Sequence, residues 1–285
     1  MFDTHCHLNL PRLLKNVEEI VAGAKNSGIS QILVPGVNLE TSRKAIELAG
    51  RFEGVFAAVG IHPEDVSEYV EQKMKNEEQV LAELEILLNN PKVVAIGEIG
   101  LDRFHLKDDQ DSEKLYKEQK ELFICQLSLA KKHSKPIILH CREASDNMLD
   151  ILTHEWDSSF ENHSVLHCCE PIQALFDFAK GHHMYLGIDG NLTYAQDKPF
   201  DSALGKAEFI KKVPLDMLVL ETDSPFLLPE PLKSEKKYPN VPANLGLIAE
   251  EVARLKEISL EEVIRVTAEN GRNLFKLAPH TAQLS

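Results

Sequence analysis

The segment FDTHCH at residues 2–7 sets two imidazoles, His5 and His7, two positions apart at the end of a short apolar run. In a strand, residues i and i+2 point to one face, so both rings would look the same way. Four more side chains able to bind a metal close comparable runs further on: Glu98 in VVAIGE, His140 in PIILH, His167 in SVLH and Asp223 in MLVLETD. Six ionisable groups at strand ends would be costly to bury without partners or a cation. Two divalent ions can share the set, with His5, His7 and Asp223 on one, His140 and His167 on the other, and Glu98 bridging through its two carboxylate oxygens. Mixed imidazole and carboxylate suits Zn, Mn, Fe or Co better than an all-oxygen Mg cage. The identity stays open, with Zn, Mn and Mg all retained.

The chemistry such a set implies is hydrolysis. A bound divalent ion brings the pKa of its water down to about 7, and two ions roughly 3.5 to 4 Å apart can stabilise attacking and leaving oxygens together. Asp223 is expected to accept the proton of the attacking water while ligating one ion, with Glu98 acting beside it as the bridge.

Something must bring these six residues to one place. Apolar runs suited to buried strands occur at 2–7, 31–37, 55–61, 93–99, 136–141, 164–169, 184–189 and 217–223. They are near-continuous Val/Ile/Leu runs without strict alternation, as in parallel strands covered on both sides. Segments with helical spacing lie between them, at 13–28, 116–133 and 171–181 among others, with Gly28 and Gly181 placed as helix C-caps and two tail helices near 242–256 and 260–276. Eightfold alternation over 285 residues predicts a (β/α)8 barrel of TIM type, one domain spanning residues 1–285, with the site at the C-terminal ends of the strands. Two stretches, 101–114 and 224–242, read as long loops at that same face.

Composition narrows the class. A hydrophobic fraction of 43% and a charged fraction of 27% belong to a soluble globular chain. No apolar run reaches the roughly 18 residues of a membrane helix, and the N-terminus lacks the regions of a signal peptide, so a cytoplasmic protein is expected. Five cysteines suggest reduced thiols rather than a disulfide framework. A formal net charge of −14 argues against duplex binding through a broad basic surface, although ions and a few cations inside one pocket can still neutralise a phosphate.

The motifs DTHCHL (3–8), VGIHPE (59–64), IGEIGLD (96–102), ILHCREA (138–144), LHCC (166–169) and ETDSPFL (221–227), taken in this order, resemble the TatD family of metal-dependent hydrolases, a branch of the amidohydrolase superfamily. The resemblance implies a barrel, a binuclear metal centre and deoxyribonuclease activity, chiefly exonucleolytic, with DNA as substrate and no obligate protein partner. It gives metal-ligand roles to His5, His7, Glu98, His140, His167 and Asp223, the residues already chosen by strand position. It also makes His62 a substrate-side residue near the phosphate, where the residues alone allow a turn histidine before Pro63. Arg142, two past His140, would face the pocket and either contact a phosphate or pair with Glu143 or Glu170. Two departures from the family pattern concern substrate contacts. Cys169, Glu170 and Pro171 replace the usual Phe-Ser-Gly or Phe-Thr-Gly, and Pro239 to Pro242 replace Arg-Asn-Glu-Pro, removing an arginine. They keep open an alternative substrate: a small ester, lactone, amide or aminoacyl ester. A non-enzymatic barrel that retains metal for stability is a third reading.

Other residues carry expectations as well. Cys6, Cys141 and Cys168, each beside a ligand histidine, should turn into the layer between strands and helices, whereas Cys169 should look toward the pocket. Asp102 and Glu221 are placed to orient imidazoles. Phe104 and Phe226 suit either base stacking or loop packing. Arg103, Lys107, Lys233, Lys236 and Lys237 form either a cationic rim or a solvated loop face.

Overall fold

The eight apolar runs become eight parallel strands paired in chain order. The computed structural model describes residues 1–67, 77–194 and 205–278. The strands are β1 (Phe2–Asp3), β2 (Gln31–Pro35), β3 (Val55–Val59), β4 (Val93–Asp102), β5 (Ile137–Arg142), β6 (Ser164–Leu166), β7 (Tyr185–Ile188) and β8 (Leu218–Leu220). Helices α1 (Pro11–Leu14) and α2 (Val17–Asn26) follow β1, and α3 (Leu39–Arg51) follows β2. Next come α4 (Glu77–Leu88), α5 (Gln110–Lys132), α6 (Ser145–Glu155), α7 (Gln173–Gly181) and α8 (Lys206–Lys212), one after each of β3 to β7. Helices α9 (Leu245–Lys256) and α10 (Leu260–Leu274) end the described chain. This is the expected (β/α)8 barrel.

Closure between β8 and β1 is made beyond the strands themselves. A parallel bridge joins Cys6 to Ser224, and the backbone N–H groups of Thr4, His7 and Asp223 donate to Leu220, Ser224 and His5 at 3.0, 2.8 and 2.9 Å. Inside the ring, Leu33, Ala58, Ala95, Ile138, Val165, Tyr185 and Val219, one from each of β2 to β8, pack with Phe2, Leu274 and Phe275. The larger core fills the space between strands and helices. Among the described residues no helix is long and apolar enough to cross a membrane. All five cysteines are free thiols.

Three boundaries differ from expectation. The first strand ends at Asp3, so His5 and His7 stand on the chain just past it. Helix α7 runs through Gly181, and the left-handed residue that turns the chain is His183, with φ of 52°. The loop expected at 101–114 shrinks because β4 extends to Asp102 and α5 starts at Gln110, capped by Asp109 accepting from the Ser112 N–H at 2.8 Å. Gly28 does supply the left-handed turn after α2, with φ of 79°.

Candidate metal centre

Strand alternation brings most of the site inward. On β5, Ile138 lies in the inner cluster and Leu139 in the outer layer, so His140 points in again. Just past β8 the same count from inward Val219 turns Glu221 to the lumen, and Asp223, with a left-handed φ of 49°, is brought within 3.4 Å of His7. Glu98 is different. Counting from inward Ala95 would send it outward, yet β4 carries one extra residue against β5, with Ile96 opposite Ile137 but Ile99 opposite Leu139. This bulge re-aims Glu98 into the barrel and returns Ile99 to the outer layer. Glycines flank it because the strands approach too closely for side chains: a Cβ on Gly100 would collide with the His140 carbonyl, and one on Gly97 would come 2.6 Å from the Ile138 Cβ.

The donor atoms converge around Glu98. His5 Nε2 lies 3.2 Å from His7 Nε2, 3.2 Å from Glu98 Oε2 and 3.9 Å from Asp223 Oδ1. His7 Nε2 is 3.4 Å from the same Asp223 oxygen. On the other side, Glu98 Oε1 is 2.8 Å from His140 Nδ1, 3.7 Å from His167 Nε2 and 3.6 Å from His62 Nε2. Ligand atoms group within 4.8 Å of one another in three sets: His5, His7 and Asp223; His5, Glu98 and His167; His62, Glu98 and His140. All six residues chosen from the sequence are therefore gathered, and His62 joins them. His140 and His167, expected to share one ion, stand 6.5 Å apart ring to ring and meet Glu98 in different sets.

This donor set fits a divalent cation. Carboxylate oxygens and imidazole lone pairs crowd into one buried space, where their mutual repulsion calls for positive charge. On the far side of their rings, the Nδ1 atoms of His5 and His7 are buried without a hydrogen-bond partner among the described residues, so these rings make their polar contacts through Nε2 toward the cluster. Burial would raise the carboxyl of Glu98, but His167, His5 and His62 outweigh it and hold Glu98 well below the usual range. Asp223 is lowered in the same way, with burial opposed by His7 and His167. Burial would likewise discharge His140, yet Asp102 and Glu98 push it up to about 9. Against the same cost, Glu221 and Glu98 push His167 up to about 10. Carboxylates that hold protons on two rings are equally able to hold a metal, whose binding expels those protons.

The supporting carboxylates now have assignments that sequence left undecided. Asp102 Oδ2 sits 2.8 Å from His140 Nε2, and Glu221 Oε1 sits 2.9 Å from His167 Nδ1 while accepting the Cys168 N–H at 2.6 Å. Glu221 fits because Gly187 on β7 has no side chain where its carboxylate lies.

Arg142 stacks on an aromatic ring, with Glu170 near enough for its charge to oppose the effect of burial on that carboxyl. Its guanidinium carbon lies 3.4 Å over the Phe104 ring, and Nη1 is 4.0 Å from Asp102 Oδ2. The loop cations do not form a simple rim. Arg103 pairs with Glu113 at 2.7 Å, Lys237 pairs with Glu235 at 2.6 Å, and Lys233 lies over Tyr194. Of the two adjacent cysteines, the one expected to look toward the pocket, Cys169, does not. Cys168 has a left-handed φ of 47°, which breaks alternation after β6 and sends Cys169 into the outer core, 3% exposed. Cys168 instead accepts from Asn191 Nδ2 at 3.4 Å.

Several supporting residues escaped the sequence reading. Asp3 is fully buried and accepts from the Thr222 N–H at 2.9 Å and the Thr222 hydroxyl at 2.7 Å, which ties the ligand-bearing ends of β1 and β8 together. Burial lifts Asp3 to about 7 despite those bonds. On α5, Gln126 accepts from the Ile61 N–H at 2.8 Å and donates to the Ile61 carbonyl at 3.1 Å, fixing the turn that carries His62. Gln119, two helical turns earlier, accepts the Asp102 N–H at 3.0 Å. Two glutamines seven apart on the apolar stripe of a helix were the available signal. Lys206, 5% exposed, reaches Asn191 and stands 3.7 Å from Asp189.

A parallel barrel whose imidazoles and carboxylates meet at one mouth defines the class, a metal-dependent hydrolase. Comparison with known proteins refines it. The family described as TatD related DNase matches residues 2–276. The chain is 33% identical over 277 residues to an uncharacterized metal-dependent hydrolase, YabD, of Bacillus subtilis, covering 97% of this chain and 99% of that one. It is 32% identical over 280 residues to a 3'-5' ssDNA/RNA exonuclease TatD of Edwardsiella piscicida, covering 98% and 100%. The crystal structure of YjjV, a TatD homologue from Escherichia coli, superposes with a TM-score of 0.82 at 27% identity over 98% of both chains. The chain belongs to the TatD family, enzymes that hydrolyse ester bonds with the help of metal.

Proposed function

We propose that this hydrolase cleaves phosphodiester bonds at the ends of DNA strands. His5, His7, Glu98, His140, His167 and Asp223 would hold two divalent ions, with Zn, Mn and Mg as candidates. The observation that carries the reading is the position of Glu98, whose two oxygens face separate histidine groups and so can serve two cations at once. Divalent ions held there would acidify a ligated water and offset the charge that builds on the phosphate. Asp223, ionised and at the open edge of the group, accepts the proton of the attacking water. His62, beside His140 at 4.3 Å between ring centres, faces the phosphate, and Arg142 adds a fixed cation at the mouth. The relative named as an exonuclease on single-stranded DNA and RNA supports the substrate class.

The test uses purified protein reconstituted separately with Zn, Mn and Mg, and end-labelled single-stranded and duplex DNA. Shortening of the labelled strand from one end, abolished by chelation, is the expected result. No cleavage with any metal, accompanied by turnover of a lactone or an aminoacyl ester, overturns the DNA assignment and keeps the hydrolase.

A further inference from the structure

Among the described residues, three of the four exposed large hydrophobic side chains are aromatic, and two of these, Phe226 and Phe104, flank the ligand group. Phe226 is 48% exposed and turns its ring edge-on to His7, 6.1 Å between centres. Its N–H donates to the Asp223 carbonyl at 2.8 Å, which fixes it directly beside that carboxylate. Phe104 is 47% exposed, and its N–H donates to Asp102 Oδ1 at 2.8 Å while Asp102 Oδ2 holds His140. One face of the Phe104 ring carries the Arg142 guanidinium, whose side chain is 38% exposed. Phe226 thus touches the ligand group directly and Phe104 reaches it through Asp102, the first on the His7 side of Glu98 and the second on the His140 side. Aromatic rings left in water at such positions gain by being covered.

We infer that the pocket mouth holds two stacking platforms for unpaired nucleobases, Phe226 on the His7 side and the Arg142–Phe104 pair on the His140 side. This rests on the proposed function and states which strands it accepts. A phosphate at the ligand group leaves one sugar and base on either side of it. A base in a duplex keeps its neighbours as stacking partners, whereas an unpaired base is free to lie on a ring or a guanidinium plane. The contacts are sequence-tolerant because every base offers a π face. The platforms would thereby supply, through these three side chains, the grip on unpaired ends that the name of the single-strand exonuclease relative implies.

The experiment compares metal-loaded protein on a single-stranded oligonucleotide and on the same strand with an abasic residue at the last or next-to-last position. For the wild type, KM should rise about tenfold on one abasic strand and about tenfold on the other, the size of one lost stack. In Phe226→Ala the ratio of abasic to complete KM should collapse to about one for a single position, and Phe226→Trp should restore it. Phe104→Ala and Arg142→Lys should collapse the ratio for the other position. Equal KM on complete and abasic strands by the wild type, or ratios unmoved by the substitutions, overturn the platforms and leave the nuclease reading standing. Failure of the wild type to cleave the complete strand overturns both.

Discussion

Gly187 and Glu221 occupy one space: the position a Cβ would take on Gly187 is filled by the carboxylate of Glu221. That carboxylate lies 2.9 Å from His167 Nδ1, so a bare backbone on β7 sets the orientation of an imidazole just past β6. Gly187→Ala should displace Glu221 and cost roughly 10- to 100-fold in metal affinity or turnover, the usual scale for losing a ligand's supporting partner. Metal content by elemental analysis and kcat check it. Pairing it with Glu221→Asp, which withdraws the carboxylate by one methylene, should recover part of the loss.

Glu98→Gln should remove metal and activity together. It deletes a charge that faces His5, His62, His140 and His167 together. A fall in turnover on the order of a thousandfold is expected from losing several kcal/mol of metal-dependent stabilisation. Bound metal should drop in parallel while circular dichroism stays that of a folded barrel.

Lys206 is a buried ammonium opposite a buried carboxylate, Asp189. Burial works against its charge, and Asp189 outweighs that and holds Lys206 above its ordinary 10.5. A lysine raised in the fold contributes stability that is complete below 10.5 and is lost as pH climbs past its folded value. Urea unfolding should therefore show stability falling on the alkaline side, with a smaller fall in Lys206→Met. That variant should itself lose about 3 to 5 kcal/mol at neutral pH, because Asp189 is left unpaired. Adding Asp189→Leu should return most of the loss.

Gln126→Leu should leave the buried N–H and carbonyl of Ile61 unpaired, at a cost of about 1 to 3 kcal/mol. The turn bearing His62 loses its clamp, so KM for the nucleic-acid strand should rise while bound metal is unchanged. Thermal unfolding and steady-state kinetics on the same preparation separate the two effects.

The fold and the six donor residues were legible because each signal is local: an apolar run and a polar residue at its end. What escaped depended on register or on distant chain. Glu98 was picked by its place in an apolar run, but what aims it inward is the bulge between Ile96 and Ile99, since strict alternation would have turned it away. The outward turn of Cys169 rests on one left-handed residue, Cys168. Which carboxylate serves which histidine needed the lateral neighbours of β4, β5, β6 and β8, just as the Lys206–Asp189 pair needed the start of α8 to fold back on the end of β7.

The seam between β1 and β8 has a bearing on how the enzyme is born. His5 and His7 leave the ribosome more than two hundred residues ahead of their companion Asp223, which donates its N–H to the His5 carbonyl. A nascent chain consequently carries half of its chemistry with nothing to complete it. On the proposed reading, complete loading of the site with cations waits until Asp223 has emerged and closed the seam.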